Sequence, residues 1–60
     1  MDPDATYYEM FAAMRDGRLG EARQYALDLR EWLDQGGFYP QRYSQQEVDA
    51  YLASVLRRTT

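Results

Sequence analysis

From Arg18 to Pro40 the chain reads RLGEARQYALDLREWLDQGGFYP, a long helix-periodic segment that ends in two glycines and a proline. Ala22, Ala26, Leu29 and Leu33 recur at helical spacing, Tyr25 and Trp32 flank that stripe, and Gly36-Gly37 close it. An amphipathic helix of this length holds its shape by burying the stripe on neighbouring elements. The flanking residues must therefore supply the cover, and the core is expected to centre on Leu29, Trp32 and Leu33.

Little else can staple such a chain. Its 60 residues contain neither cysteine nor histidine, so disulfides and the usual zinc sites are excluded. A chain this short buries only about 60% of the surface its unfolded form exposes. Packing has to carry the stability, and the nine aromatic residues, six of them tyrosine, are generous means for it. One domain spanning residues 1–60 is expected.

The segment before Arg18 reads as a helix. Asp2 suits the N-cap, Pro3 the first helical position, and Asp4 the positive end of the helix dipole. Thr6-x-x-Glu9 is a rival capping box, but the earlier start is preferred. Pro3, Tyr7, Met10, Phe11 and Met14 form the apolar stripe, and Gly17 can take the left-handed conformation that ends the helix. An antiparallel hairpin of helices over about 3–16 and 18–35 follows, with Ala22 and Ala26 allowing close approach. Leu27 falls on the polar side of the second helix.

After it, Gly37 is expected in the left-handed conformation, with Phe38 folding back onto Leu33. Pro40 turns the chain into an irregular strap, GGFYP and onward to Tyr43. Ser44-x-x-Glu47 is then a capping box, with Tyr43 and Val48 in the two positions of a hydrophobic staple. Val48, Tyr51, Leu52, Val55 and Leu56 give a third helix, about 45–58, one continuous apolar face. The fold class is all-α, a three-helix mini-domain.

Composition also narrows function. A net charge of -3, with seven arginines as the only cationic side chains, disfavours nucleic acid as a partner. The charge is uneven, since residues 1–37 hold eight acids and four arginines while 38–60 hold two and three. No apolar run reaches the roughly 18 residues of a membrane span, and the first residues lack a basic start and an apolar core. A cytoplasmic location and no membrane partner are expected. With His, Cys and Lys missing, catalysis would fall to carboxylates and hydroxyls. Glu31, Asp28 and Asp34 share a solvated helix face that offers no burial to a catalytic carboxylate, and Asp2 and Asp4 are explained by capping. No enzyme activity, cofactor or metal is expected.

Two resemblances add to this. Gly17-x-x-x-Glu21-Ala22 and its helix pair are similar to one tetratricopeptide-type unit, although Ala26 stands where an aromatic is usual and Asp34 where a proline is. One unit alone builds no solenoid groove. More specifically, Asp2-Pro3-Asp4-Ala5-Thr6, Glu31-Trp32-Leu33 and Gly36-Gly37-Phe38-x-Pro40-x-x-Tyr43 resemble a group of very small uncharacterised bacterial and bacteriophage proteins with a DPDAT start and an EWLxxGGFxP ending. That likeness covers the first 43 residues and implies an origin and a fold, without an activity to carry over.

The expected role is a small protein-interaction module or accessory factor. Its partner would be another protein or a second copy of the chain, with Tyr8, Leu27, Tyr39, Arg42 and Tyr43 as candidate contacts and Tyr7 beside them on the rim. Two alternatives stand beside it. A single-stranded nucleic acid could stack on the strap through Phe38, Tyr39, Arg42 and Tyr43, or an incompletely covered third helix could pair two copies into a homo-oligomer.

Overall fold

The computed structural model describes residues 1–60 and contains three helices and no strand. They are α1 (Pro3–Arg15), α2 (Leu19–Asp34) and α3 (Gln45–Arg58). The all-α reading and the extent of α3 agree with the sequence. The first two helices each stop one residue earlier than expected, because Asp16 and Gln35 are their C-caps, and α2 begins one residue later than expected, with Arg18 as its N-cap.

Each boundary has a local cause. The Asp2 carboxylate accepts from the backbone N–H groups of Asp4 and Ala5 at 3.1 and 3.2 Å, so α1 begins at the early site. Thr6 belongs to that first turn, its hydroxyl donating to the Asp2 carbonyl at 3.1 Å. Both α1 and α2 end in a Schellman motif. At the first, Gly17 and Arg18 N–H donate to the Met14 and Ala13 carbonyls; at the second, Gly36 and Gly37 donate to Leu33 and Trp32. The left-handed residues are Gly17 (φ 76°) and Gly36 (φ 91°), so the expectation for Gly37 is off by one position. Gly37 serves a different purpose: a Cβ there would lie 2.4 Å from the Trp32 ring.

Helix α2 lies between the other two and packs on both. Ala22, Ala26 and Leu29 are fully buried against Tyr7, Met10 and Ala13 of α1 and Val48, Leu52 and Val55 of α3. Hence the core centres on Met10, Leu29, Val48, Leu52 and Val55; Trp32 and Leu33 only pack against its edge. The short side chains at 22 and 26 bring α1 close, and close approach selects Ala13, fully buried, as its counterpart. That turns Phe11 outward, where it is 48% exposed instead of lying in the buried stripe. On the apolar face of α3, Val48, Leu52 and Val55 are fully buried within the chain, while Tyr51 and Leu56 are half-buried. A radius of gyration of 10.3 Å agrees, being what a compact chain of this length gives, about 10 Å.

The strap between α2 and α3 is tied to all three helices. The indole N–H of Trp32 donates to the Phe38 carbonyl at 2.9 Å, the Tyr39 hydroxyl donates to Asp49 Oδ1 at 2.8 Å, and Asp4 accepts from the N–H groups of Gln41 and Arg42 at 3.2 and 3.3 Å. Pro40 is fully buried among these ties. Phe38 stands edge-on to Trp32, ring centroids 5.6 Å apart.

Candidate functional site

While α2 touches both neighbours closely, α1 and α3 scarcely approach each other, and aromatic rings fill the interval. Tyr7 points from α1 into this gap. Its ring lies 4.7 Å from that of Tyr43 on the strap and 5.8 Å, edge-on, from that of Tyr51 on α3. Phe11, one turn further along α1, sits 6.1 Å from Tyr51. All three spacings fall in the range where tilted aromatic pairs attract.

These rings, with Tyr8 and Glu47, line a groove of about 270 Å³. A second depression of about 290 Å³ adjoins it, sharing Tyr8 and Tyr43 and lined further by Asp2, Asp4, Ala5 and Arg42. The two form one cleft, polar toward the start of α1 and aromatic toward its middle. Tyr8 is 56% exposed and Tyr43 38%, so with Phe11 they leave a large apolar surface open to solvent.

Glu47 belongs to this cleft for a reason found in its local fold. Only half of the expected capping box forms: Ser44 Oγ accepts from the Glu47 N–H at 3.0 Å, while the Glu47 carboxylate makes no return bond and lines the groove instead. It has no ion-pair partner, unlike Asp16, Glu21 and Asp34, which pair with arginines at 2.9 to 3.4 Å. Its charge is felt by Tyr7. Burial, and then the negative charge of Glu47 with smaller contributions from Tyr43 and Tyr51, push the Tyr7 phenol up to about 12. Tyr7, protonated at neutral pH like any tyrosine, forms the floor of the groove as a neutral ring and stays so further into alkali.

Of the expected contact residues, the structure brings Tyr8, Arg42 and Tyr43 together. Tyr39 is half-buried and bonded to Asp49, a hydrogen bond that, ahead of burial, raises its pKa. Leu27 lies on α2 outside the cleft, 41% exposed. The strap cluster proposed for base stacking is likewise divided, with Phe38 on Trp32 and Tyr39 on Asp49, and only Arg42 and Tyr43 sharing a surface. Phe11, Tyr51 and Glu47 were not among the expected contacts. For Phe11 the sequence carries one signal: Tyr7, Tyr8, Met10, Phe11 and Met14 make an apolar arc too broad for an alanine-lined partner helix to cover; Tyr51 and Glu47 had no such signal.

No helix is long and apolar enough to cross a membrane. Comparison with known proteins yields no matching family model, curated protein or solved structure.

Proposed function

We propose that the chain is a small interaction module that binds a segment of another protein in the cleft between α1 and α3, without transforming it. The observation that carries this reading is the contiguous aromatic surface of Tyr8, Phe11 and Tyr43, half-open in a chain whose aliphatic core is fully closed. Exposed, rigid aromatic side chains supply much of the contact energy at protein interfaces. A groove of about 270 Å³ is at the small end of the range that encloses a ligand, roughly 300–1,000 Å³; it suits one or two side chains of a docking segment. The likeness of the first 43 residues to small bacterial and phage proteins fits an accessory factor of that origin, acting in the cytoplasm.

The test is affinity capture from a nuclease-treated bacterial extract with three baits: the wild type, Phe11→Ser and Leu27→Asp, each shown to be folded by circular dichroism. The expected result is a protein retained by the wild type and Leu27→Asp and lost by Phe11→Ser. Equal retention by all three baits, or a retained protein seen only when the nuclease treatment is omitted, would refute the reading.

A further inference from the structure

The chemistry of the cleft narrows what can occupy it. Its aromatic part presents the rings of Tyr7, Tyr8, Phe11, Tyr43 and Tyr51 and a single charged group, the Glu47 carboxylate. No arginine lines this part of the cleft; Arg42, the one cation nearby, lies in the adjoining depression with Asp2 and Asp4. Those two carboxylates already accept backbone N–H groups, Asp2 from the first turn of α1 and Asp4 from the strap. Glu47 has neither a cap bond nor an ion pair. Aromatic faces carry the negative side of the ring quadrupole, so rings around one unpaired carboxylate attract a positive charge and tolerate an apolar stem. An anionic or purely polar occupant would meet repulsion or lose its water without return.

We infer that the aromatic part of the cleft takes a cationic side chain of the partner segment, an arginine with apolar neighbours, seated among Tyr8, Phe11, Tyr43 and Tyr51 with its guanidinium facing Glu47. This rests on the cleft being a protein-docking site and names the chemistry it selects. Arginine suits the site through its planar, weakly hydrated head, which stacks on rings and pairs with a carboxylate.

The experiment is a heteronuclear NMR titration of the intact chain with three acetylated, amidated peptides, Gly-Leu-X-Leu-Gly, where X is arginine, citrulline or norleucine. Citrulline keeps the shape of arginine without its charge, and norleucine keeps only the stem. The expected result is shift changes confined to Tyr7, Tyr8, Phe11, Tyr43, Glu47 and Tyr51. The arginine peptide should bind about fivefold or more tightly than either neutral peptide. Glu47→Gln should remove most of that preference and leave the neutral peptides unchanged, and its melting temperature reports whether the fold is intact, since the Ser44 cap uses only the backbone at 47. Equal binding of all three peptides in the cleft overturns the cationic preference and leaves the docking site standing. Shifts that map to the acidic face of α2, or tighter binding of tetramethylammonium than of the arginine peptide, overturn the inference in favour of non-specific charge pairing or a free organic cation. Absence of any shift in the cleft overturns it too, and the capture experiment then decides the docking reading independently.

Discussion

Replacing Gly37 with alanine places a methyl group where the indole of Trp32 already lies. The added Cβ would stand 2.4 Å from Trp32 Cε2, 2.5 Å from Nε1 and 2.6 Å from Cδ2. Carbon atoms in contact settle at about 3.5–4.0 Å, so the ring must retreat by about 1 Å. It cannot do so freely, because its N–H donates to the Phe38 carbonyl at 2.9 Å and the Phe38 ring stands against it. A retreat of that size takes the donor beyond the roughly 3.2 Å limit of a useful N–H···O bond. Losing the bond costs about 1 kcal/mol, and forcing a side chain off its packing costs about 1–3 kcal/mol. The sum, about 2–4 kcal/mol, compares with a total stability of about 3–9 kcal/mol for 60 residues. Unfolding entropy near 2.1 cal/mol/K per residue converts it to a fall in melting temperature of about 15–30 °C. Circular dichroism melts give the shift, and the emission of the single tryptophan, moving to the red, locates it at the indole. Gly20→Ala is the control. It lies in the first turn of α2 with nothing within 4 Å of the added atom, and should raise stability by about 0.5–1 kcal/mol. A Gly37→Ala protein within 0.5 kcal/mol of wild type, with unchanged emission, would refute the close-packing argument.

Three further outcomes follow from the same geometry. Asp4→Ala removes the acceptor of two strap N–H groups and should cost about 1–2 kcal/mol in urea unfolding, with Asp4→Asn intermediate; no measurable change would show that the strap holds without it. Leu27→Asp should stay within about 1 kcal/mol of wild type, because Leu27 is exposed on a polar face; a wild-type melting temperature that rises with protein concentration, and a mutant whose does not, would place Leu27 in a self-contact instead. Alkali should destabilise the fold through Tyr7. Well below pH 10 the phenol is protonated in both states and its contribution is complete, whereas from about pH 9 to about 12 the unfolded chain ionises first, so stability falls by about 2 kcal/mol across that window. Tyr7→Phe should lose less than wild type between pH 9 and 11, and equal losses in the two proteins would contradict the assigned shift.

The starts of α1 and α3 were legible because their signals are local, whereas α2, which has no side-chain cap, starts one residue later than expected. Asp2-Pro3 and Ser44 act on backbone groups two or three residues away, and no distant contact competes with them. Helix ends were legible to within a residue for the same reason. The choice between Gly36 and Gly37 was not, because both can adopt a positive φ; what separates them is Trp32, whose ring needs the space over Gly37. In the stripe of α1, Pro3, Tyr7 and Met10 are buried and Met14 partly so, and Phe11 alone departs. Periodicity places Phe11 beside Tyr7 and Met10, but the depth of approach to Ala22 and Ala26 decides the rotation of the helix, and that is a property of two helices. Phe11 reached the candidate site through that rotation, and Tyr51 through its half-buried place on α3 beside Tyr7 and Phe11. Glu47 reached it because a capping box can form by halves, the serine side alone satisfying a backbone donor.

The cleft stands on two helices that hardly touch, so its shape depends on what holds them apart and in register. Helix α2 sets the positions of α1 and α3 from behind through Ala22, Ala26 and Leu29, while the strap sets them from the side. Tyr43 is one wall of the cleft and belongs to the strap, which has no regular structure of its own between Gly37 and Ser44. Its place follows from the neighbouring Gln41 and Arg42 amides, which the Asp4 carboxylate holds from α1. Asp4 is therefore a positioning residue for the cleft as well as a stabilising one. If binding uses Tyr43 where it now stands, Asp4→Ala should weaken the arginine peptide by more than its loss of global stability explains, with the chain still fully folded at the titration temperature. Peptide affinity that stays at the wild-type value in that variant would mean that the stacking of Tyr43 on Tyr7, 4.7 Å between centroids, is enough to fix the wall by itself.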